Sequence, residues 1–222
     1  MQSDSPPQEA PARLTALSQA SPLGLPEAWR SRLVAAYGEG RRAYHTLGHV
    51  VEVLRHLAWA KERLGSLQRA ALDDEASVVV AVWFHDAVYD ARAKDNEARS
   101  AALAREALAE VPVADPARVT ELILATARHG TIEPGADRDR AVFLDCDMAI
   151  LGARAADYDA YERGVADEYA EAYPPAAFRA GRAAFLEGLA ARPRLFATAI
   201  FHDAYDATAR ANLRRALAAL RT

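Results

Sequence analysis

Apolar residues recur at intervals of three and four along most of this chain, the spacing of helices that pack by one face. No run alternates between apolar and polar residues in the way that a half-buried strand does. Aspartate, glycine and proline interrupt the pattern at the positions where helices begin and end. The pattern predicts helices over about residues 27–37, 46–64, 75–89, 95–111, 116–129, 138–150, 156–169, 174–191 and 208–220.

The predicted helix over residues 75–89 differs from the others because its middle is apolar on every side. Its longest apolar run, residues 78–84, is far too short to cross a bilayer. A helix without a polar face must be covered by other helices, so we expect it at the centre of the molecule. The sequence therefore predicts an all-α fold.

The chain has 222 residues, a formal net charge of −4 and 51% hydrophobic residues. This length suits one domain with a substantial core, and the charge favours neither a nucleic-acid polymer nor a membrane as partner. Cys146 is the single cysteine and the N-terminus does not resemble a secretion signal, so we expect a cytoplasmic protein. Residues 1–24 are rich in proline, serine and glutamine, which predicts a loosely ordered tail before a domain over residues 25–222.

Three groups of ionisable residues interrupt the apolar pattern: His45 with His49, His85 with Asp86, and Asp145 with Asp147. The first two histidines stand four residues apart and share a helix face. Ionisable groups in apolar segments need partners, and a metal ion binds neutral imidazole and carboxylate together. These residues indicate a metal site, with the choice between the two aspartates of the last pair left open. We interpret Cys146, which lies between those aspartates, as a small buried residue.

Taken in order, these residues resemble the metal-dependent phosphohydrolases of the HD superfamily, and more narrowly a group of small bacterial HD-domain proteins. The resemblance spans about residues 26–222 and rests on Tyr44-His45-Thr46-Leu47-Gly48-His49, Trp83 to Asp90, Asp95 to Ala101, Thr126 to His129 and Asp145 to Gly152. It implies a single-domain, HD-type helical bundle with a metal site between its central helices.

The resemblance offers two registers for the histidine pair. In one HD pattern His45 would be the first metal ligand. In the pattern of the cyclic-nucleotide phosphodiesterases the first histidine is the general acid and the second is the metal ligand. Residues 44–53 match the phosphodiesterase pattern more closely. We adopt the second register, so His45 and Asp86 are the expected catalytic residues. The expected metal ligands are His49, His85, Asp86 and Asp147, with Asp145 as the alternative to Asp147. A third possibility is that His45 only orients His49.

The implied activity is hydrolysis of a small phosphorylated metabolite or nucleotide by metal-activated water, with His45 protonating the leaving oxygen. The donor set accommodates Mn²⁺, Fe²⁺, Co²⁺, Ni²⁺, Mg²⁺ or Zn²⁺. The alternatives are a non-catalytic ligand-binding protein and a di-iron oxygenase, the latter needing further ligands for a second iron. We expect a monomer or weak homodimer, because no additional apolar face is evident.

His129, Arg42 and Glu97 are the expected substrate contacts. Each also has an ordinary explanation, as a charge at a helix end or on a solvated surface. Four tyrosines fit either a pocket wall or ordinary packing: Tyr158, Tyr161, Tyr169 and Tyr173. We favour packing for the first three.

Overall fold

The structure, a computed structural model, describes residues 24–40, 42–66, 72–128 and 137–221. Within these ranges every regular element is a helix, which confirms the all-α prediction. The helices are α1 (Glu27–Ala36), α2 (Leu47–Ser66), α3 (Glu75–Phe84), α4 (Asn96–Glu110), α5 (Pro116–Thr126), α6 (Arg138–Met148), α7 (Ala155–Tyr169), α8 (Pro175–Ala190) and α9 (Ala199–Leu220). A 3₁₀ helix, Ala149–Gly152, follows α6. The tail predicted before residue 25 lies outside the described residues except for Gly24.

Several helices begin at the polar residues that the sequence marks as caps. The side chain of Asp74 accepts a hydrogen bond from the backbone N–H of Ser77 at the start of α3. Asp115 does the same for Ala117 at the start of α5. These side chains satisfy backbone N–H groups that have no partner within the helix.

Helix α3 is buried as predicted, but it is central to the first half of the molecule rather than to the whole. Each residue from Ser77 to Phe84 is buried. It contacts α2, α4, α5 and α6, which cover it on its different sides. A second group, formed by the 3₁₀ helix with α7, α8 and α9, packs beside this one and joins it through α6. Of the described helices, none is long and apolar enough to cross a membrane.

Two predicted helix boundaries are wrong. Helix α3 ends at Phe84 rather than near residue 89, so His85 and Asp86 lie where the chain leaves the helix. Helix α9 begins at Ala199, nine residues before the predicted start at Thr208, because Thr198 caps it by accepting from the backbone N–H of Phe201. The sequence signal for this earlier start is Thr198 itself, because threonine is a preferred residue at the start of a helix.

Candidate metal centre

The end of the buried helix α3 holds the imidazole of His85 in one orientation. This side chain is 1% exposed, and its Nδ1 lies 2.9 Å from the carbonyl oxygen of Val82. A carbonyl only accepts hydrogen bonds, so Nδ1 carries a proton, and Nε2 presents its lone pair when the ring is neutral. His85 is therefore prepared as a ligand through Nε2.

Helix α2 and helix α6 bring two further side chains to that nitrogen. The Nε2 atoms of His49 and His85 are 3.1 Å apart, and Oδ1 of Asp147 is 2.9 Å from Nε2 of His49. Oδ2 of Asp86 is 3.1 Å from Nε2 of His85 and 3.6 Å from Nε2 of His49. We call these four residues the histidine–aspartate centre.

The donor spacing fits a divalent ion. Two imidazole nitrogens at about 2.1 Å from one ion, at a right angle, lie about 3 Å from each other. The observed distance of 3.1 Å between the two Nε2 atoms matches this value. Among the described residues, the group that can hold an ion on spacing alone is His49, His85 and Asp147. Asp86 adds its carboxylate to that group.

The electrostatics of the centre favour positive charge. Burial lowers the pKa of His85, but the carboxylates of Asp86 and Asp147 outweigh it and raise that pKa well above its ordinary value. Burial likewise raises the pKa of Asp86, yet interactions with His85 and the other histidines bring it below its ordinary value. Two half-buried carboxylates beside two buried imidazoles therefore attract a cation.

Asp145 and Asp147 have separate environments although both lie on α6. Both oxygens of Asp145 are occupied: the backbone N–H groups of Ala197 and Thr198 and the hydroxyl of Thr198 donate to them, at 2.6–2.8 Å. Asp145 thus stabilises the start of α9. The geometry does not support the alternative in which Asp145 is a metal ligand. The cysteine between them is buried, and burial raises the pKa of its thiol.

His45 lies next to the centre but outside it. Its Nδ1 is 2.6 Å from Oε2 of Glu168, a residue of α7 that the sequence analysis did not single out. The structure thus places Nε2 of His49 among the atoms that could hold an ion and gives His45 a carboxylate partner of its own. A signal for Glu168 was present in the sequence, since it continues the inward-facing series Tyr158, Tyr161 and Val165 at helical spacing.

A cavity of about 600 Å³ adjoins the centre, lined by His45, His49, Asp86 and Asp147 among others. Glu97, an expected substrate contact, also lines it. One wall is aromatic and comes from α7, α8 and the turn between them: Tyr161, Tyr169, Tyr173, Phe178 and Phe185. The packing interpretation of Tyr161 and Tyr169 is therefore incomplete, whereas Tyr158 is fully buried in the core as expected.

Arg42 is not among the residues that line the cavity, and its expected substrate role stays a prediction. Its guanidinium donates to three backbone carbonyls, those of His45 and Asp86 at 2.8 Å and that of Ala87 at 3.0 Å. Through these three hydrogen bonds, Arg42 joins the segment before α2 to the segment after α3. His129 lies outside the described residues.

A positively charged side chain that the sequence analysis missed lines the cavity. Arg182 of α8 lines it, stacks over the ring of Tyr161 at 5.0 Å and pairs through two nitrogens with Glu162, each at 2.9 Å. A single arginine in a helix of mixed polarity carries no pattern that separates it from surface arginines.

Comparison of this chain with known protein-family models, with curated proteins and with solved structures gives no match. Its function is therefore inferred from its own side chains and their arrangement.

Proposed function

We propose that this chain is a metal-dependent phosphohydrolase of HD type that acts on a small phosphorylated metabolite or nucleotide. The observation that carries the proposal is the convergence of two imidazole nitrogens and two carboxylates beside a cavity. A further histidine, His45, lies next to these four groups without belonging to them. A binding site alone has no need of that additional histidine.

His49, His85, Asp86 and Asp147 are the residues that would hold the ion. Their donor set of two neutral imidazoles and two carboxylates suits Mn²⁺, Fe²⁺, Co²⁺, Ni²⁺, Zn²⁺ or, less tightly, Mg²⁺. When bound, such an ion polarises a phosphoryl oxygen and lowers the pKa of water towards neutrality. Among the described residues no second group has the spacing of a metal site.

His45 is the residue positioned to handle the proton of the leaving group. It lines the same cavity as three of the proposed ligands, and its Nδ1 is engaged by Glu168. Nε2 is the ring nitrogen left for the substrate. Donation from Nε2 to the departing oxygen is general acid catalysis, which contributes about 10²–10⁴-fold to a rate.

The rest of the cavity supports a substrate with an organic body and few phosphate groups. Its volume of about 600 Å³ and its aromatic wall suit a small organic molecule. Lysine and arginine are scarce among its described lining residues: Lys94 and Arg182. Because Arg182 is neutralised by Glu162, this lining suits a monophosphate or a diester better than a polyphosphate.

The test combines metal analysis with a panel of phosphate esters. Protein purified without chelator should contain close to one ion per chain. His49→Ala should lose both the ion and turnover, whereas His45→Ala should keep the ion and lower kcat by about 10²–10⁴-fold. The loss in His45→Ala should be smallest with p-nitrophenyl phosphate, whose leaving group needs little protonation.

Two outcomes would change the assignment. A His45→Ala protein that loses its ion while His49→Ala keeps it would exchange the two roles. A wild-type protein that holds its ion yet hydrolyses no ester of the panel would support the non-catalytic ligand-binding alternative.

A further inference from the structure

Glu168 accepts hydrogen bonds from five donors, which is unusual for one carboxylate. Its Oε1 accepts from the backbone N–H groups of Ala43, Tyr44 and His45, each at 2.8 Å. Its Oε2 accepts from Nδ1 of His45 at 2.6 Å and from the hydroxyl of Tyr89 at 2.9 Å. One side chain thus binds both the backbone and the ring of the same histidine.

Glu168 is fully shielded from solvent and ionised. Its side chain is 0% exposed. Burial raises its pKa, but the hydrogen bonds and charge of His45 and the backbone N–H groups outweigh this and lower the pKa to about 2. A buried carboxylate without such donors would be costly, so the five donors account for its presence in this position.

The ring of His45 is held on its other sides as well. Tyr89 stacks against it with ring centroids 4.5 Å apart and planes inclined by 28°. Gly164, one turn before Glu168 on α7, lets the helix approach the segment, since a Cβ there would lie 3.2 Å from Cβ of Tyr44. The backbone, the ring plane and Nδ1 of His45 are therefore all restrained.

These restraints select one tautomer. An ionised carboxylate only accepts hydrogen bonds, so the neutral ring of His45 carries its proton on Nδ1. Nε2 then has the lone pair when the ring is neutral and gains the second proton when it is charged. Nε2 has no hydrogen-bond partner among the described residues, and His45 lines the cavity.

We propose that Glu168 is a positioning residue for His45: it fixes the Nδ1-protonated tautomer and directs Nε2 to the substrate, so that Nε2 is the atom that gives up and regains a proton in each turnover. This inference rests on the proposed function for its kinetic consequence, but the tautomer itself is independent of that function. The proton leaves Nε2 for the departing oxygen, and the imidazole regains one from solvent.

Glu168→Gln tests this role with little change in shape. The three backbone N–H groups around Oε1 can donate only to an oxygen, so the carbonyl oxygen of the glutamine takes that place and its NH₂ group must face His45. That group donates to Nδ1, which forces the proton of the neutral ring onto Nε2. We expect kcat to fall by about 10²–10⁴-fold on an alkyl phosphate and much less on p-nitrophenyl phosphate, with KM changed by less than about threefold.

The tautomer is measured directly by long-range ¹H–¹⁵N correlation of histidine-labelled, Zn²⁺-loaded protein at a pH where the ring is neutral. The His45 signals are assigned by their loss in His45→Gln. Wild-type protein should show Nδ1 protonated, and Glu168→Gln should show Nε2 protonated. A wild-type ring protonated at Nε2 would overturn the proposal without any need of the variant.

Asp139→Asn is the matched control. Asp139 is also a buried carboxylate, and it accepts from the backbone N–H groups of Asp73 and Asp74 at 2.7–2.8 Å. The control should lose stability but keep the wild-type tautomer and the wild-type dependence on the leaving group. A Glu168→Gln protein that is folded and keeps the Nδ1-protonated tautomer, or that loses rate equally on both esters, would show that Glu168 is merely structural. If wild-type protein hydrolyses no ester, the proposed function fails. The measured tautomer of His45 still shows in that case whether Glu168 positions its ring.

Discussion

At the residue scale, identical side chains acquire different roles because they point in different directions. Asp145 and Asp147 are two positions apart on α6, which turns them by about 200° around the helix axis. One therefore meets the start of α9 and the other meets the histidines. The sequence limited the candidate ligand from this segment to one of these two aspartates. The neighbours of each side chain in the structure distinguish between them.

The pair gives a prediction with a built-in control. Asp147→Asn should reduce the ion content to well below one per chain, since a neutral amide is a poorer ligand, while the melting temperature of the metal-free protein stays close to wild type. Asp145→Asn should keep the ion but destabilise the protein by about 1–3 kcal/mol, because its new amide leaves buried donors facing each other. Elemental analysis and thermal unfolding of the chelator-treated proteins measure the two effects.

An exchange of these outcomes, with Asp145→Asn losing the ion and Asp147→Asn losing stability, would assign the ligand to Asp145 after all.

At the scale of the element, close approaches between helices depend on glycine. Gly152 ends the 3₁₀ helix against α9, and a Cβ there would lie 2.6 Å from Cβ of Tyr205 and 2.9 Å from its backbone oxygen. The sequence predicted that the helix ends near residue 150, close to Gly152, but the contact with Tyr205 spans 53 residues of the chain and has no local signal.

Two glycine substitutions should have opposite effects on stability. Gly152→Ala should destabilise the protein by about 1–3 kcal/mol, because the backbone of α9 must move to admit the methyl group. Gly188→Ala should stabilise it by about 0.5–1 kcal/mol, because this glycine lies within α8 with nothing within 4 Å of the position of its Cβ. Urea unfolding of both variants and wild type compares the free energies of unfolding.

Equal effects of the two substitutions would mean that α9 does not approach Gly152 as closely as described.

At the scale of the whole molecule, the histidine–aspartate centre joins parts of the chain that are far apart in sequence. His49 comes from α2, His85 and Asp86 follow α3, and Asp147 comes from α6. Glu168 adds a tie from α7 to the segment before α2. An ion bound by all four residues would connect three elements of the first helical group, so it should stabilise the fold as a whole.

Metal-dependent stability follows from this arrangement. Adding Mn²⁺ to chelator-treated protein at about 100 times its dissociation constant should stabilise the folded state by about 2.7 kcal/mol and raise the melting temperature by several degrees. His49→Ala should show no such rise at the same concentration. Differential scanning calorimetry measures the melting temperatures of both proteins. An equal rise in the two would place the stabilising ion elsewhere.

The expected oligomeric state, a monomer or weak homodimer, remains a prediction.

The sequence by itself determined the helical class, the burial of α3 on every side and the three residue groups that contain the candidate metal ligands. These features depend on local spacing and on the cost of burying ionisable groups, both of which are properties of short segments. Only the tertiary structure decided that Asp147 rather than Asp145 joins the histidines, that Arg42 binds backbone carbonyls, and that Glu168 holds His45. Those outcomes depend on which side chain of a distant helix arrives at a given atom. Helical spacing places Glu168 on the inward face of α7, but it does not tell that this carboxylate meets His45, 123 residues away in the chain.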